Sequence, residues 1–132
     1  MREASHGDRL AADTVLVAPG DHHLRLTPSG SVELEDGPRL HGVRPSVDIT
    51  LESVAEHFAR RSVVAILTGM GQDGAAGAVR VRQNGGFVLA EDESTCVVWG
   101  MPRAVVERGG ADRVLPLEHI AEAIAAGVPS HA

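Results

Sequence analysis

At 132 residues the chain is the size of one domain and long enough to bury a core of its own. Apolar residues make up 43% but aromatics only 2%, so Val, Leu, Ile and Ala must build the core, and a net charge of −6 with scattered basic residues leaves no footprint for nucleic acid. A single cysteine, Cys96, excludes an internal disulfide and a multi-cysteine metal cage, which fits a reducing, cytoplasmic setting, and no apolar run reaches the length of a signal-peptide core or a membrane span.

Residues 1–13 are polar and read as a frayed tail, with the folded domain expected over 14–127. TVLVAP (14–19) reads as a short buried strand ended by Pro19 and Gly20. HHLRLT and SVELE flank Pro28-Ser29-Gly30, and the alternation of Leu24 with Leu26 and of Val32 with Leu34 predicts a hairpin with one apolar face. DGPRLHGVRPSVD (36–48) holds too many turn formers to be regular and is longer than a connector needs, which makes it a candidate functional loop. Ser46 or Asp48 is then the expected cap of a helix whose stripe is Leu51, Val54, Ala55 and Phe58.

From there the rhythm is strand, helix, strand, helix. SVVAILT is apolar at every central position, as a parallel strand covered on both faces requires. A helix is expected to open near Asp73 and run through Val79 and Val81, followed by the strand GGFVLAED. ESTCVVWGMPRAVVERGG reads as a bent helical segment interrupted at Gly100 and Pro102. ADRVLP is a last short strand, and LEHIAEAIAA a last helix with Leu117, Ile120, Ala121 and Ile124 on one side. The predicted architecture is α/β: a doubly wound, mostly parallel sheet with an attached β-hairpin.

TGMGQDGAAG (68–77) admits three readings. Gly69, Gly71 and Gly74 fit the dinucleotide fingerprint between a strand and a helix, with Glu91 and Asp92 ending the next strand. Against this, Asp73 would place a carboxylate where a pyrophosphate needs positive potential, and the fingerprint normally follows a fold's first strand. A second reading is a tight turn whose Asp73 caps its own helix. The third is chemical: the glycines present Asp73 at the carboxyl end of a parallel strand, where open α/β sheets gather ligands and where a Ser-His-Asp system needs its acid.

VAPGDHHLRL (17–26), GVRPSVDITLESVA (42–55), AILTGMGQDGAAG (65–77) and LAEDESTCVVWGMPRAVVERGGADRVLPLEHI (89–120) together resemble the catalytic domain of the chemotaxis protein-glutamate methylesterase, CheB. The likeness runs in order from about residue 3 to about residue 125. It implies a hydrolase that uses serine, histidine and aspartate, without metal or organic cofactor, on glutamate methyl esters of methyl-accepting chemotaxis receptors, some members also deamidating glutamine. It puts the acid on Asp73, sets the backbone of Met70 beside the oxyanion, and places Arg44, Pro45, Ser46, Ser94, Cys96, Gly100, Met101 and Pro102 on loops around the cleft.

The chain also departs from the family pattern. The family's GxSTGG nucleophile loop and QHMP-like histidine string do not occur in it, and no serine sits in a G-x-S-x-G elbow. Both strings are expected to precede its start, so the fold would lack the family's first strands and expose the edges of their neighbours, with marginal stability alone. The competing expectation is an inactive module that binds receptors or a polypeptide supplying those strands. His22 and His23, adjacent on a strand, point to opposite faces and are not expected to ligate one ion together. Cys96 has no neighbouring positive charge and reads as a packing residue. Trp99 is read equally as core or as lining of a groove, and Arg80, Arg82 and Arg103 as solvated helix faces.

Overall fold

The computed structural model describes residues 1–127. Its centre is a parallel sheet of three strands, β5 (Val63–Ile66), β6 (Phe87–Glu91) and β7 (Arg113–Leu115), in that order. Val64 lies opposite Val88 and Ala90 opposite Val114. Helices α2 (Ala75–Gln83) and α3 (Met101–Glu107) provide the crossovers, and α4 (Ile120–Gly127) follows the last strand.

Alternation along the strands builds two cores. Val64, Ile66 and Val88 point to one face, where they meet Ala75, Ala78 and Val81 of α2, Val105 of α3, and Leu51 and Ala55 of helix α1 (Val47–His57). Val63, Ala65, Phe87 and Leu89 point to the other, onto Ile120 and Ala123 of α4. A sheet apolar on both faces and covered on both is the doubly wound arrangement predicted. Among the described residues no strand pairs with the outer side of β5. Beside that edge runs an open apolar groove of about 420 Å³, lined by Leu10, Leu26, Val54, Phe58 and Val63 among others.

The predicted hairpin is β3 (His23–Leu26) with β4 (Val32–Glu35), antiparallel, Leu24 opposite Leu34 and Leu26 opposite Val32. It is held to α1 rather than to the main sheet: Thr50 Oγ1 donates to the Leu24 carbonyl at 2.7 Å and the Leu26 amide donates to Ser53 Oγ at 2.9 Å.

Three expectations are corrected. The start is not frayed: β1 (Arg2–Glu3) pairs in parallel with β2 (Leu16–Val17), Ala4 is buried against Leu24 and Val32, and Arg2 is bonded to Asp8. The segment 14–19 is not a buried strand, because only Leu16 and Val17 pair and their two-stranded ribbon leaves Val15 and Val17 exposed. Residues 93–100 are not helical beyond a 3-10 turn at Glu93–Thr95; bonds from Val98 to the loop after β5 draw the chain out, and regular helix begins only at Met101.

Candidate active site

The loop after β5 and the loop after β6 lie side by side at the carboxyl end of the sheet. Thr68 and Val98 bond twice, Thr68 Oγ1 donating to the Val98 carbonyl at 3.1 Å and the Val98 amide donating to Thr68 Oγ1 at 2.8 Å. The Gly69 amide donates to the same carbonyl at 3.0 Å, and the Gly69 carbonyl accepts from the amides of Gly100 and Met101 at 3.0 and 2.8 Å. A Cβ on Gly100 would stand 2.7 Å from the Gly69 oxygen, so only glycine allows this approach. Glu91, fully buried, clamps both loops from below, one carboxylate oxygen taking the Thr68 amide at 2.8 Å and the other Thr95 Oγ1 at 2.9 Å. With the first glycine amide turned onto Val98, the loop is packed on protein rather than held open for a phosphate.

Asp73 lies at the end of this loop, buried, and three donors converge on it. Ser46 Oγ donates to Oδ1 at 2.7 Å, the Asp48 amide to Oδ1 at 3.1 Å and the Val47 amide to Oδ2 at 2.7 Å. Neither helix is capped as the sequence suggests. Ser46 occupies the N-cap position of α1 but turns its hydroxyl to Asp73, and Asp73 caps α1 instead of its own helix, whose N-cap is Gly74. Asp48 returns the arrangement by accepting the Gly77 amide of α2 at 2.7 Å, and its second oxygen meets His41 Nε2 at 2.9 Å. Two helix N-termini therefore face each other across two carboxylates, each of which is favoured by the positive end of both dipoles. A carboxylate offers about four acceptor positions. Among the described residues Asp73 meets three donors, two on Oδ1 and one on Oδ2, so one position on Oδ2 is unused.

Of the residues singled out in the sequence, Asp73 and Ser46 are in direct contact. Met70 stands at the loop apex, 84% exposed, and among the described residues nothing accepts from its amide. Met101 packs its thioether beneath Gly69, and Pro102 is buried behind it in the first turn of α3. Arg44 donates through its guanidinium to Asp21 at 2.8 Å and to the carbonyls of Asp36 and Gly37 at 3.2 Å, fixing the 36–48 loop. The adjoining Arg44–Pro45 peptide is cis. Ser94 donates its amide and hydroxyl to the Asp92 carboxylate, which caps the 3-10 turn. Cys96 donates to the Glu91 carbonyl at 3.7 Å, and burial together with the Glu91 carboxylate pushes its thiol up from the ordinary value.

Sequence reasoning missed Asp48 as an acceptor for the other helix, Glu91 as a loop clamp, and His23 as a buried contact of Ser46. Asp48 was legible only as a cap of its own helix, because pairing between helix ends leaves no local pattern. His41, Asp48 and Asp73 bring ligand-type atoms within 4.8 Å of one another. Their oxygens, however, already accept amide, hydroxyl and imidazole donors, which identifies the group as a double helix cap.

The CheB methylesterase family matches residues 1–124. A protein-glutamate methylesterase/protein-glutamine glutaminase of Symbiobacterium thermophilum is 53% identical over 128 residues, covering 97% of this chain and 35% of that protein. The protein-glutamate methylesterase FrzG of Myxococcus xanthus is 48% identical over 122 residues, covering 92% and 36%. The crystal structure of the Thermotoga maritima CheB methylesterase catalytic domain aligns with a TM-score of 0.87 at 46% identity, covering 92% of this chain and 66% of that one. The chain thus spans about a third of the length of the curated relatives it matches. With one family accounting for 124 of its residues and a relative of the same fold superposing on nearly all of them, this chain belongs to the CheB methylesterase family.

Proposed function

We propose that these residues form the acid-bearing part of a protein-glutamate methylesterase active site that hydrolyses glutamate methyl esters, and glutamine side-chain amides, on methyl-accepting chemotaxis receptors in the cytoplasm. The observation that carries the reading is Asp73: buried, fixed by three donors, and with one acceptor position unused among the described residues, at the carboxyl end of the parallel sheet. In that role Asp73 accepts an imidazole N–H and holds the ring so that its other nitrogen takes the proton of a serine hydroxyl. The serine attacks the γ-carbonyl, the oxyanion develops beside the Met70 amide, and methanol leaves with the proton returned by the imidazole. Water then releases the glutamate carboxylate by the same two proton transfers.

The serine and histidine of this scheme are not among the 132 residues in a recognisable string, and a segment with the GxSTGG and QHMP-like strings is proposed to supply them. The unpaired outer side of β5 and the apolar groove beside it support completion of the sheet there, whether by the same polypeptide or by another. No described helix is long and apolar enough to cross a membrane, and the reading needs no insertion.

The test joins this chain to a segment carrying both strings and follows methanol release from methylated receptor. Asp73→Asn is expected to lower turnover by about 10⁴-fold, the order seen when a triad loses its acid. The 132 residues alone are expected to release no methanol above the protein-free control. Turnover by the pure chain would place the nucleophile among these residues, and full turnover by Asp73→Asn would remove the acid from the mechanism.

A further inference from the structure

The hairpin contributes one side chain to the neighbourhood of Asp73. His23, on β3, is 1% exposed, whereas His22 beside it faces solvent and Asp36. Both ring nitrogens of His23 are in use. Nε2 lies 2.7 Å from the Pro38 carbonyl and Nδ1 lies 3.2 Å from the Ser46 amide. A carbonyl can only accept and a backbone N–H can only donate, so these partners together fit a neutral ring with its proton on Nε2 and a bare Nδ1.

Ser46 continues the chain of contacts. Its amide is held by the His23 ring, and its hydroxyl donates to Asp73 Oδ1 at 2.7 Å. Ser46 is itself 1% exposed, so water does not substitute for either partner. The ring's distance from α1 is fixed along the same strand by the bonds of Leu24 and Leu26 to Thr50 and Ser53. The fixed parts run from the Pro38 carbonyl through the imidazole and Ser46 to the carboxylate.

We infer that His23 is a positioning residue: through Ser46 it sets the orientation in which Asp73 presents its open acceptor position. The assignment rests on the catalytic role proposed for Asp73, but its test reads the carboxylate's surroundings directly. Loss of ester turnover would therefore bear on the proposed function, and loss of the following signatures on this assignment.

In ¹⁵N-labelled protein, the His23 ring should show a protonated Nε2 and an unprotonated, hydrogen-bonded Nδ1. His23→Leu removes the acceptor of the Ser46 amide and should speed hydrogen exchange at Ser46, Val47 and Asp48 by about tenfold, as loss of one buried hydrogen bond does. It should also move the Asp73 carboxyl ¹³C resonance. His23→Asn sets Oδ1 near the place of Nδ1 and should hold exchange within about threefold of the unmutated protein. Amides of β6, at Val88 and Leu89, should exchange as before in both variants. A proton on Nδ1 in the unmutated protein would overturn the assignment, and that measurement stands whether or not His23→Leu folds. So would a His23→Leu protein in which Val47, Asp48 and the Asp73 carboxyl keep their original signals, or in which Val88 and Leu89 accelerate equally.

Discussion

Asp48 and Asp73 exchange helix caps: Asp48 accepts the Gly77 amide of α2 at 2.7 Å, and Asp73, from the loop that leads into α2, accepts the Asp48 amide at 3.1 Å. The two helix ends are thereby locked to one another at the point where the candidate acid sits. Replacing Asp73 by Ala leaves the buried Ser46 hydroxyl and the Val47 amide without an acceptor and should cost about 2–3 kcal/mol, read as a lower urea midpoint with an unchanged slope. Asp48→Ala should cost about 1–2 kcal/mol, and the double variant less than the sum, since the sites share one network. Midpoints unmoved in both single variants would refute the exchanged caps.

Gly77 marks the close contact between the same helices. Alanine is favoured over glycine by about 1 kcal/mol within a helix. A Cβ at Gly77 would, however, stand 2.6 Å from Leu51 Cβ and 3.1 Å from Asp48 Oδ1, and overpacking of that kind costs about 1–3 kcal/mol. Gly77→Ala is therefore expected to destabilise, while Gly20→Ala, whose Cβ meets nothing within 4 Å, should change stability by less than about 0.5 kcal/mol. A Gly77→Ala protein more stable than its parent would show that α1 and α2 do not approach this closely.

Cys96 should behave as a sluggish thiol. Burial first, and then the Glu91 carboxylate, disfavours its thiolate. The pH profile of its alkylation by iodoacetamide should be displaced to higher pH than that of a cysteine in an unstructured peptide. A profile displaced to lower pH would reopen Cys96 as a nucleophile.

The Asp21–Arg44 pair should give a small acid-dependent contribution. The Arg44 guanidinium, by hydrogen bond and then by charge, holds the Asp21 carboxyl below the usual carboxylate range, with help from Arg39. A lowered folded value means that the stabilisation is complete above the unfolded value of about 3.9 and disappears as pH falls through the folded one. The difference in urea midpoint between the parent and Asp21→Asn should accordingly be constant from about pH 7 to pH 5 and close below about pH 4. Because the Asp21 side chain is 66% exposed, salt should reduce the difference as well. A gap that widens on acidification would contradict the pairing.

Much of the fold was legible because apolar period carries it. Val63 to Ile66 alternate between the two cores, as an all-apolar strand should, and Leu24, Leu26, Val32 and Leu34 meet in the register their spacing predicts. The segments that misled are those whose shape depends on distant partners. ESTCVVWG carries no local instruction to leave the helix; Thr68 and Gly69, about 30 residues earlier, draw it out by bonding to Val98. The first residues carry no apolar period and gain structure through distant partners, Arg2 and Glu3 pairing with Leu16 and Val17 and Ala4 packing on Leu24 and Val32. Asp73 was singled out through its glycine setting and by resemblance, and Ser46 as a site residue by resemblance alone, but neither their contact nor that of His23 with Ser46 was legible, because these contacts join positions 27 and 23 residues apart on different elements.

The exchange of caps gives Asp73 an occupation that does not depend on chemistry. A descendant of such a domain that no longer turned over any ester would still need an acceptor for Val47, Asp48 and Ser46, and selection on folding alone would keep the aspartate. Within the family, possession of this aspartate alone, apart from how its carboxylate is presented, therefore does not distinguish a working hydrolase from a folded remnant. The informative positions are the ones that serve only the reaction.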